Sequence, residues 1–202
     1  MATATASPFS MKANSGEGGD FELPPSGLHP AVFVAIIDLG THTREFNGQK
    51  FDQHKLFLCW ELTGENNSKG ETFVVGQDYT YSLNNKAKLR AIVEGFLGRS
   101  LADGEEYDLA LMIGKPCVVN LKDGVSGTGK KFVEVSSVGK PMKGQIIPEQ
   151  TRESFAFSLT QVDSVKDDLG IPSWVPPNYG RKIEDEIKKS KEWDKLGDLP
   201  PF

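Results

Sequence analysis

Nine consecutive residues near the start of the chain constrain the fold more than any other stretch. The run Ala31-Val-Phe-Val-Ala-Ile-Ile-Asp-Leu39 is rich in β-branched side chains and is followed by Gly40. A short apolar run that ends at a turn residue is typical of a buried strand. The run therefore predicts that the folded part of the chain is built on a β-sheet.

Four more segments have strand patterns, at residues 54–62, 71–81, 116–122 and 131–138. In the first of them every second residue from Leu56 to Leu62 is apolar, which is typical of a strand with one buried face. Asn47-Gly48 lies between the first two strands and is a strong signal for a tight hairpin turn. We therefore expect a long, exposed hairpin there.

The apolar period changes from two toward 3.6 after the third strand. Here the apolar positions fall largely on one face of a predicted helix: Leu83, Leu89, Ile92, Val93, Phe96 and Leu97. Ser82, Asn84 or Asn85 could cap the start of this helix, and Gly98 would end it. A shorter helix is predicted over residues 105–113. Three strands, a helical connection and two strands is the order of the OB-fold, so we expect a mainly β, five-stranded OB-fold barrel.

Composition divides the chain around this domain. Residues 1–26 are rich in Ala, Thr, Ser and Gly and are expected to form a disordered N-terminal segment. The OB-fold domain is assigned to residues 27–147 and a partly ordered C-terminal extension to 148–197. The extension contains a strand pattern at Phe155, Phe157 and Leu159 and a short helix pattern within 183–193. Whether it packs on the barrel is not readable from the sequence.

The distribution of charge along the chain is compatible with nucleic-acid binding but does not predict it. The formal net charge is −5, but residues 27–147 contain 14 basic and 14 acidic residues, so the acidity lies in the flanking segments. A neutral domain can still carry a basic groove, because clustering matters more than the total. The same neutrality is ordinary for domains that bind no nucleic acid.

Binding a single strand requires a cationic groove for the backbone and flat side chains on which bases stack. The first hairpin mixes both types in Arg44, Phe46, Lys50 and Phe51, although these phenylalanines could instead fold back onto the barrel rim. Further candidates lie on strand two, on strand three, near the helix start and in a glycine-rich loop: Lys55, Phe57, Tyr79, Tyr81, Lys86, Lys88, Lys130 and Lys131. The tyrosine pattern favours burial unless Gly76 forms a bulge, and the lysines could simply be solvated.

The same glycine-rich loop, Gly124-Val-Ser-Gly-Thr-Gly-Lys-Lys131, nearly matches the phosphate loop of nucleotide-hydrolysing enzymes. Lys131 stands where a hydroxyl should reach Mg²⁺, and a strand pattern follows where a helix is needed. No other catalytic set stands out. The three histidines lack neighbours at metal-ligand spacing, and Cys59 and Cys117 fit buried thiols in a reducing compartment. We therefore expect no enzyme activity, metal or cofactor.

The segment Asp198-Leu199-Pro200-Pro201-Phe202 has the composition of a protein ligand rather than of core. Pro200 and Pro201 favour an extended backbone, so less entropy is lost when a partner binds it. A pocket would take the Phe202 ring, and basic groups or amides would take the carboxylate. The alternative is a frayed terminus with an incidental aromatic residue.

These segments together resemble a known family. The stretches 79–90, 96–98 and 111–118, the segment Pro172-Ser-Trp-Val-Pro-Pro177 and the tip are similar to phage-type OB-fold single-stranded DNA-binding proteins with an acidic tail ending in Pro-Phe. The resemblance implies coverage of single strands in DNA replication, recombination or repair, with partner proteins recruited through residues 198–202. The rival is a replisome adaptor that acts by protein contacts alone. No signal peptide or membrane-spanning run is evident, so we expect a cytoplasmic protein, in a bacterial host cell if phage-encoded; its oligomeric state stays open.

Overall fold

The computed structural model describes residues 22–127, 129–159, 169–178 and 180–197. The fold is mainly β, with a helix between the third and fourth strands, as predicted. Its elements in chain order are β1 (Gly27–Phe46), β2 (Gln49–Asn66), β3 (Thr72–Thr80), α1 (Lys88–Leu97), a 3-10 helix (Leu109–Met112), β4 (Pro116–Val125), β5 (Lys131–Gly139), β6 (Phe155–Phe157), α2 (Ile183–Ile187) and α3 (Lys191–Gly197). None of the described helices is long and apolar enough to cross a membrane.

The strands form one sheet in the order β3-β2-β1-β4-β5, with antiparallel neighbours. β1 pairs with β4 over Gly27–Val32 and with β6, in parallel, over Ala35–Ile37. The predicted hairpin is confirmed: Asn47 and Gly48 join β1 to β2 with φ of 50° and 76°. Positive φ at both turn residues matches the twist of the flanking strands.

The predicted five strands are present, but the described sheet is not closed into a barrel. Within the described chain no strand ladder joins β3 to β5, so the sheet stays open at this junction. The buried side chain of Gln77 on β3 accepts a hydrogen bond from the backbone N–H of Val135 on β5, at 2.8 Å. One side-chain bond thus links the two strands where a barrel would have a backbone ladder.

One core lies between the sheet and α1. Leu58 and Trp60 of β2 pack there with Leu89 and Val93 of α1. Gly95 lets the helix approach β5 closely, because a Cβ at this position would lie 2.0 Å from the Val138 carbonyl oxygen. The helix ends at Gly98 as predicted, with φ of 64°.

Two local predictions in the connection were wrong. α1 is preceded by Ala87 and has no side-chain cap, so none of the three predicted residues caps it. The helix predicted over residues 105–113 is only the 3-10 turn Leu109–Met112. Residues 105–108 have no regular structure, and Asp108 starts this turn by accepting the Ala110 N–H.

A second core lies on the opposite face of the sheet and is completed by the C-terminal extension. Neighbouring β1 residues such as Ala31 and Val32 alternate between the two cores, and the bulge after Phe33 changes this alternation so that Val34 and Ala35 both face the second core. The second core joins β1, β2 and the extension, through Val32, Val34, Ala35, Ile37, Leu39, Phe57, Cys59, Leu159, Ile183 and Ile187. The described parts of the extension therefore form a layer packed on the sheet.

Glu61 of β2 anchors the start of this layer and is fully buried. Its carboxylate accepts the Thr151 hydroxyl at 2.6 Å, the Thr72 hydroxyl at 2.6 Å and the backbone N–H groups of Thr151 and Arg152 at 3.0 Å. Burial raises the pKa of this carboxyl, but these hydrogen bonds outweigh burial and hold the pKa below its usual range. The extension is therefore tied to the sheet by a charge as well as by apolar contacts.

Replacing Glu61 by Gln should lower the free energy of unfolding by about 2–4 kcal/mol, because the neutral amide leaves buried donors without acceptors. Urea unfolding followed by tryptophan fluorescence measures the change. Glu71→Gln is the matched control. Among the described residues, the exposed Glu71 carboxylate accepts a side-chain hydrogen bond from the Asn67 amide at 3.3 Å, and a bond of that length is weak. An unchanged midpoint in Glu61→Gln would contradict the anchoring role.

The effect of Glu61→Gln on the free energy of unfolding should depend on pH. The Glu61 pKa is lower in the folded than in the unfolded chain, so its stabilisation is fully present above the unfolded value of about 4.3 and is lost as pH falls through the folded pKa. The stability difference between the native chain and Glu61→Gln should therefore shrink below about pH 4.

Candidate nucleic-acid interface

The outer part of the β1–β2 hairpin projects beyond both cores. Arg44 and Phe51 are cross-strand partners there, and Phe46 pairs with Gln49. Since alternate residues of a strand share a face, Arg44, Phe46 and Phe51 lie on one face of the hairpin. The Phe46 side chain is 69% exposed and that of Phe51 is 44% exposed, so neither ring is folded away into a core.

Lys50 lies on the other face, apart from these three residues. It is paired across the strands with Glu45. Next to it, Asp52 accepts the Thr43 hydroxyl at 3.0 Å and forms an ion pair with Lys191 of α3 at 2.6 Å. This face therefore carries both signs of charge and contacts α3 of the extension.

Lys55 and Phe57 do not form the stacking surface predicted on β2. The Lys55 ammonium is paired with the Asp78 carboxylate at 2.5 Å, which neutralises its charge. Phe57 is fully buried, so the prediction that its ring stacks on bases is wrong for this fold. The ring fills the space that Gly76 leaves, where a Cβ would lie 2.4 Å from it, and Pro176 of the extension covers the same point.

The two tyrosines at the end of β3 have opposite environments. Tyr79 is 3% exposed and packs edge-on against Trp60, which excludes it as a stacking surface in this fold. No bulge at Gly76 reverses the register, because β2 and β3 pair without a shift from Lys55 to Leu62. Tyr81 lies just beyond the end of β3 and is 56% exposed.

Lys86 and Lys88 are exposed at the start of α1. Lys86 lines a cleft of about 630 Å³ together with Asn84, Asn85, Arg90, Asp103 and Glu105. Arg90 is structural: its guanidinium donates to the Leu83 and Leu101 carbonyl oxygens and pairs with Glu94. The cleft thus offers one exposed cation beside two acidic side chains.

Lys130 and Lys131 are exposed on the β4–β5 hairpin. The register places Gly27 opposite Leu121, so this hairpin extends past the start of β1, whereas the β1–β2 turn follows its end. The structure therefore does not bring these lysines beside Arg44. Lys131 begins β5, so the glycine-rich loop joins two strands and precedes no helix.

His54 is a candidate that the sequence patterns did not indicate. Its Nε2 lies 2.7 Å from Asp38 Oδ1, which also accepts the Gly40 N–H at 2.8 Å. The hydrogen bond to Asp38 raises the pKa of His54; partial burial opposes it, and the charges of Asp38 and Glu192 add to the rise. Asp38 is opposite Leu56, so His54 is its diagonal neighbour on the same face, and sequence spacing alone does not reveal this register.

The tip residues Asp198, Leu199, Pro200, Pro201 and Phe202 lie outside the described residues. Cys59 and Cys117 are buried free thiols as predicted, and burial raises the pKa of Cys117 to about 12. Across the described ranges, no group of three or more His, Cys, Asp or Glu side chains is placed to hold a metal ion.

Comparison with known proteins assigns no family to the chain. It matches no protein-family model, and a search of curated proteins found no match. The function is therefore argued from the placement of the described residues.

Proposed function

We propose that the protein binds single-stranded DNA without strong sequence preference, in replication, recombination or repair. The observation that carries the proposal is the hairpin face on which Arg44, Phe46 and Phe51 are exposed together. Aromatic rings stack on any base at ~1–3 kcal/mol per base, and a neighbouring cation can contact the phosphates between them. This is the chemistry of sequence-independent binding.

A second group of contacts supports a longer path for the strand. Tyr81 is exposed at the base of the hairpin, where its N–H donates to the His54 carbonyl oxygen at 2.8 Å. Lys86 and Lys88 follow it in the chain and are exposed. No ion pair engages either lysine among the described residues. Alternation along β2 puts His54 and Tyr81 on the opposite face of the hairpin from Arg44, so a strand on the Arg44 face would have to pass around the hairpin to reach Tyr81 and these cations.

The arrangement of the strands also favours this class of function. The order β3-β2-β1-β4-β5, with α1 between β3 and β4, is similar to that of an OB-fold, although no ladder joins β3 to β5 among the described residues. The Gln77–Val135 bond brings the two unpaired strands together. OB-folds are partly open barrels that commonly bind single strands, and we propose that this sheet is one.

One set of observations favours the rival, an adaptor that acts by protein contacts alone. Lys55 is neutralised by Asp78, and Lys50 lies opposite Glu45, so the cationic surface is smaller than the sequence indicates. Exposed Phe46 and Phe51 rings would also serve as anchors for a protein partner. Salt dependence separates the two functions.

The proposal includes partner recruitment through residues 198–202. The segment combines an acidic side chain, two prolines and an aromatic ring, which suits capture by a basic, apolar pocket. Replication or recombination proteins are the partners that a strand-covering protein would recruit.

Titration against labelled oligonucleotides tests the main proposal. Single-stranded DNA should bind more tightly than duplex, and the logarithm of the affinity should fall with the logarithm of salt by ~0.7 for each phosphate neutralised. An affinity that does not change with salt, or is equal for both DNA forms, would favour the adaptor.

Substitutions on the hairpin face test which residues carry the binding. Phe46→Ala and Phe51→Ala should each weaken binding by ~1–3 kcal/mol, and Arg44→Ala should reduce the salt slope by ~0.7. Met142→Ala is the control, because that side chain is exposed outside the proposed path. Phe57→Ala should instead destabilise the fold by about 3–5 kcal/mol, because it empties a core position. Full DNA affinity in folded Phe46→Ala and Phe51→Ala proteins would remove the hairpin face from the proposal.

Removing residues 198–202 tests the recruitment. DNA affinity should be unchanged or slightly higher, because an acidic segment is lost, while pull-down of replication or recombination proteins should fall sharply. Phe202→Ala should reproduce most of that loss, because it removes the apolar anchor. Loss of DNA binding on truncation, with partner binding retained, would contradict this role.

A further inference from the structure

We infer that His54 is a DNA-contacting residue that donates to a phosphate when its ring is doubly protonated, so that DNA affinity increases as pH falls. This inference rests on the proposed function. It concerns a residue on the opposite face of the hairpin from Arg44, where the His54 ring contacts the Tyr81 ring. Three independent features of its surroundings support it.

The first feature is that the His54 ring is held in one orientation. Asp38 Oδ1 lies 2.7 Å from Nε2 and is itself fixed by the Gly40 N–H at 2.8 Å. A carboxylate can only accept, so Nε2 carries a hydrogen in both charge states of the ring. The second proton is therefore taken up at Nδ1. Within the described chain, Nδ1 has no hydrogen-bond partner, and the new N–H is available to an external acceptor.

The second feature is the position of the ring beside an exposed aromatic surface. The centroids of the His54 and Tyr81 rings are 5.5 Å apart, with an interplanar angle of 67°. The two side chains thus present an aromatic surface and a proton-dependent cation next to each other. Bases and phosphates alternate along a strand in the same way, so one nucleotide could contact both side chains.

The third feature is the acidic surroundings of His54. Asp38 of β1 and Glu192 of α3 are the charged groups that act on the ring, and Tyr81 is the other titratable side chain against it. Glu192 is held in place because it accepts the Thr41 N–H at 2.7 Å and hydroxyl at 2.6 Å. These carboxylates favour the charged ring, so His54 titrates above the unperturbed value of about 6.5. Phosphate binding would favour that charged form further.

The experiment compares DNA affinity at about pH 6 and about pH 8.5, on either side of the titration. An oligothymidylate of about 16 nucleotides serves as the probe, a length that spans a single OB-fold site. The proteins are the native chain, His54→Gln and His29→Gln. Gln keeps a polar group of similar reach but does not titrate. His29 is the control, since it lies at the start of β1, away from the hairpin, and its Nε2 contacts the Pro25 carbonyl oxygen.

The native chain and His29→Gln should bind about three- to tenfold more tightly at the lower pH, which is the range of one net hydrogen bond. His54→Gln should lose most of this dependence while it keeps the affinity measured at the higher pH. Melting temperatures at both pH values show whether each protein is folded. If the native chain binds the probe at neither pH, the proposed function fails. If it binds with a pH dependence that His54→Gln retains, or with none, the role of His54 is wrong and the proposed function stands.

A titration of the native chain keeps the inference testable if His54→Gln does not fold. The NMR signal of the His54 ring should titrate at a higher pH with the oligonucleotide bound than without it, because the phosphate stabilises the charged form. An equal or lower titration midpoint in the complex would overturn the inference.

Discussion

A strand that is apolar on both faces must be covered on both faces, and β1 imposes this requirement on the whole protein. Residues 31–35, together with Ile37 and Leu39, are almost completely buried. The sheet and α1 cover one face, and among the described residues the C-terminal extension covers the other. The extension is therefore a structural layer, and the Glu61 carboxylate fixes its starting point by binding Thr151 and Arg152.

The edge of this second layer decides which part of the hairpin is accessible. α3 reaches as far as Thr41 and Asp52, where Glu192 and Lys191 bind. Beyond these contacts with α3, β1 and β2 pair with each other, and Arg44, Phe46 and Phe51 are exposed. The proposed DNA surface is thus the part of the longest strand pair that neither core covers.

Internal ion pairs further reduce the surface that can bind phosphates. The extension and the sheet use several charges internally, among them Lys55 with Asp78 and Lys191 with Asp52. Cations in such pairs offer little to a phosphate, since their charge is already balanced. The exposed cations that could serve a phosphate are Arg44, Lys86 and Lys88; protonated His54 adds an N–H donor at Nδ1, while Asp38 and Glu192 balance its charge. Binding by this few charges would rest strongly on stacking by the exposed rings.

Local patterns in the sequence were enough for the elements of the sheet but not for the site. The period of two, the Asn47-Gly48 turn and Gly98 after α1 depend on neighbouring residues, so strands, hairpin and helix end were predicted correctly. Phe51 and Phe57 alternate onto the same side of β2, yet one is exposed and the other buried, because Pro176 and the rest of the extension cover only Phe57. The His54–Asp38 contact and the open junction at Gln77 likewise depend on residues 16 and 58 positions apart. The sequence alone determined which segments form strands; the tertiary structure decided which of their side chains remain accessible, because accessibility depends on what packs against each face.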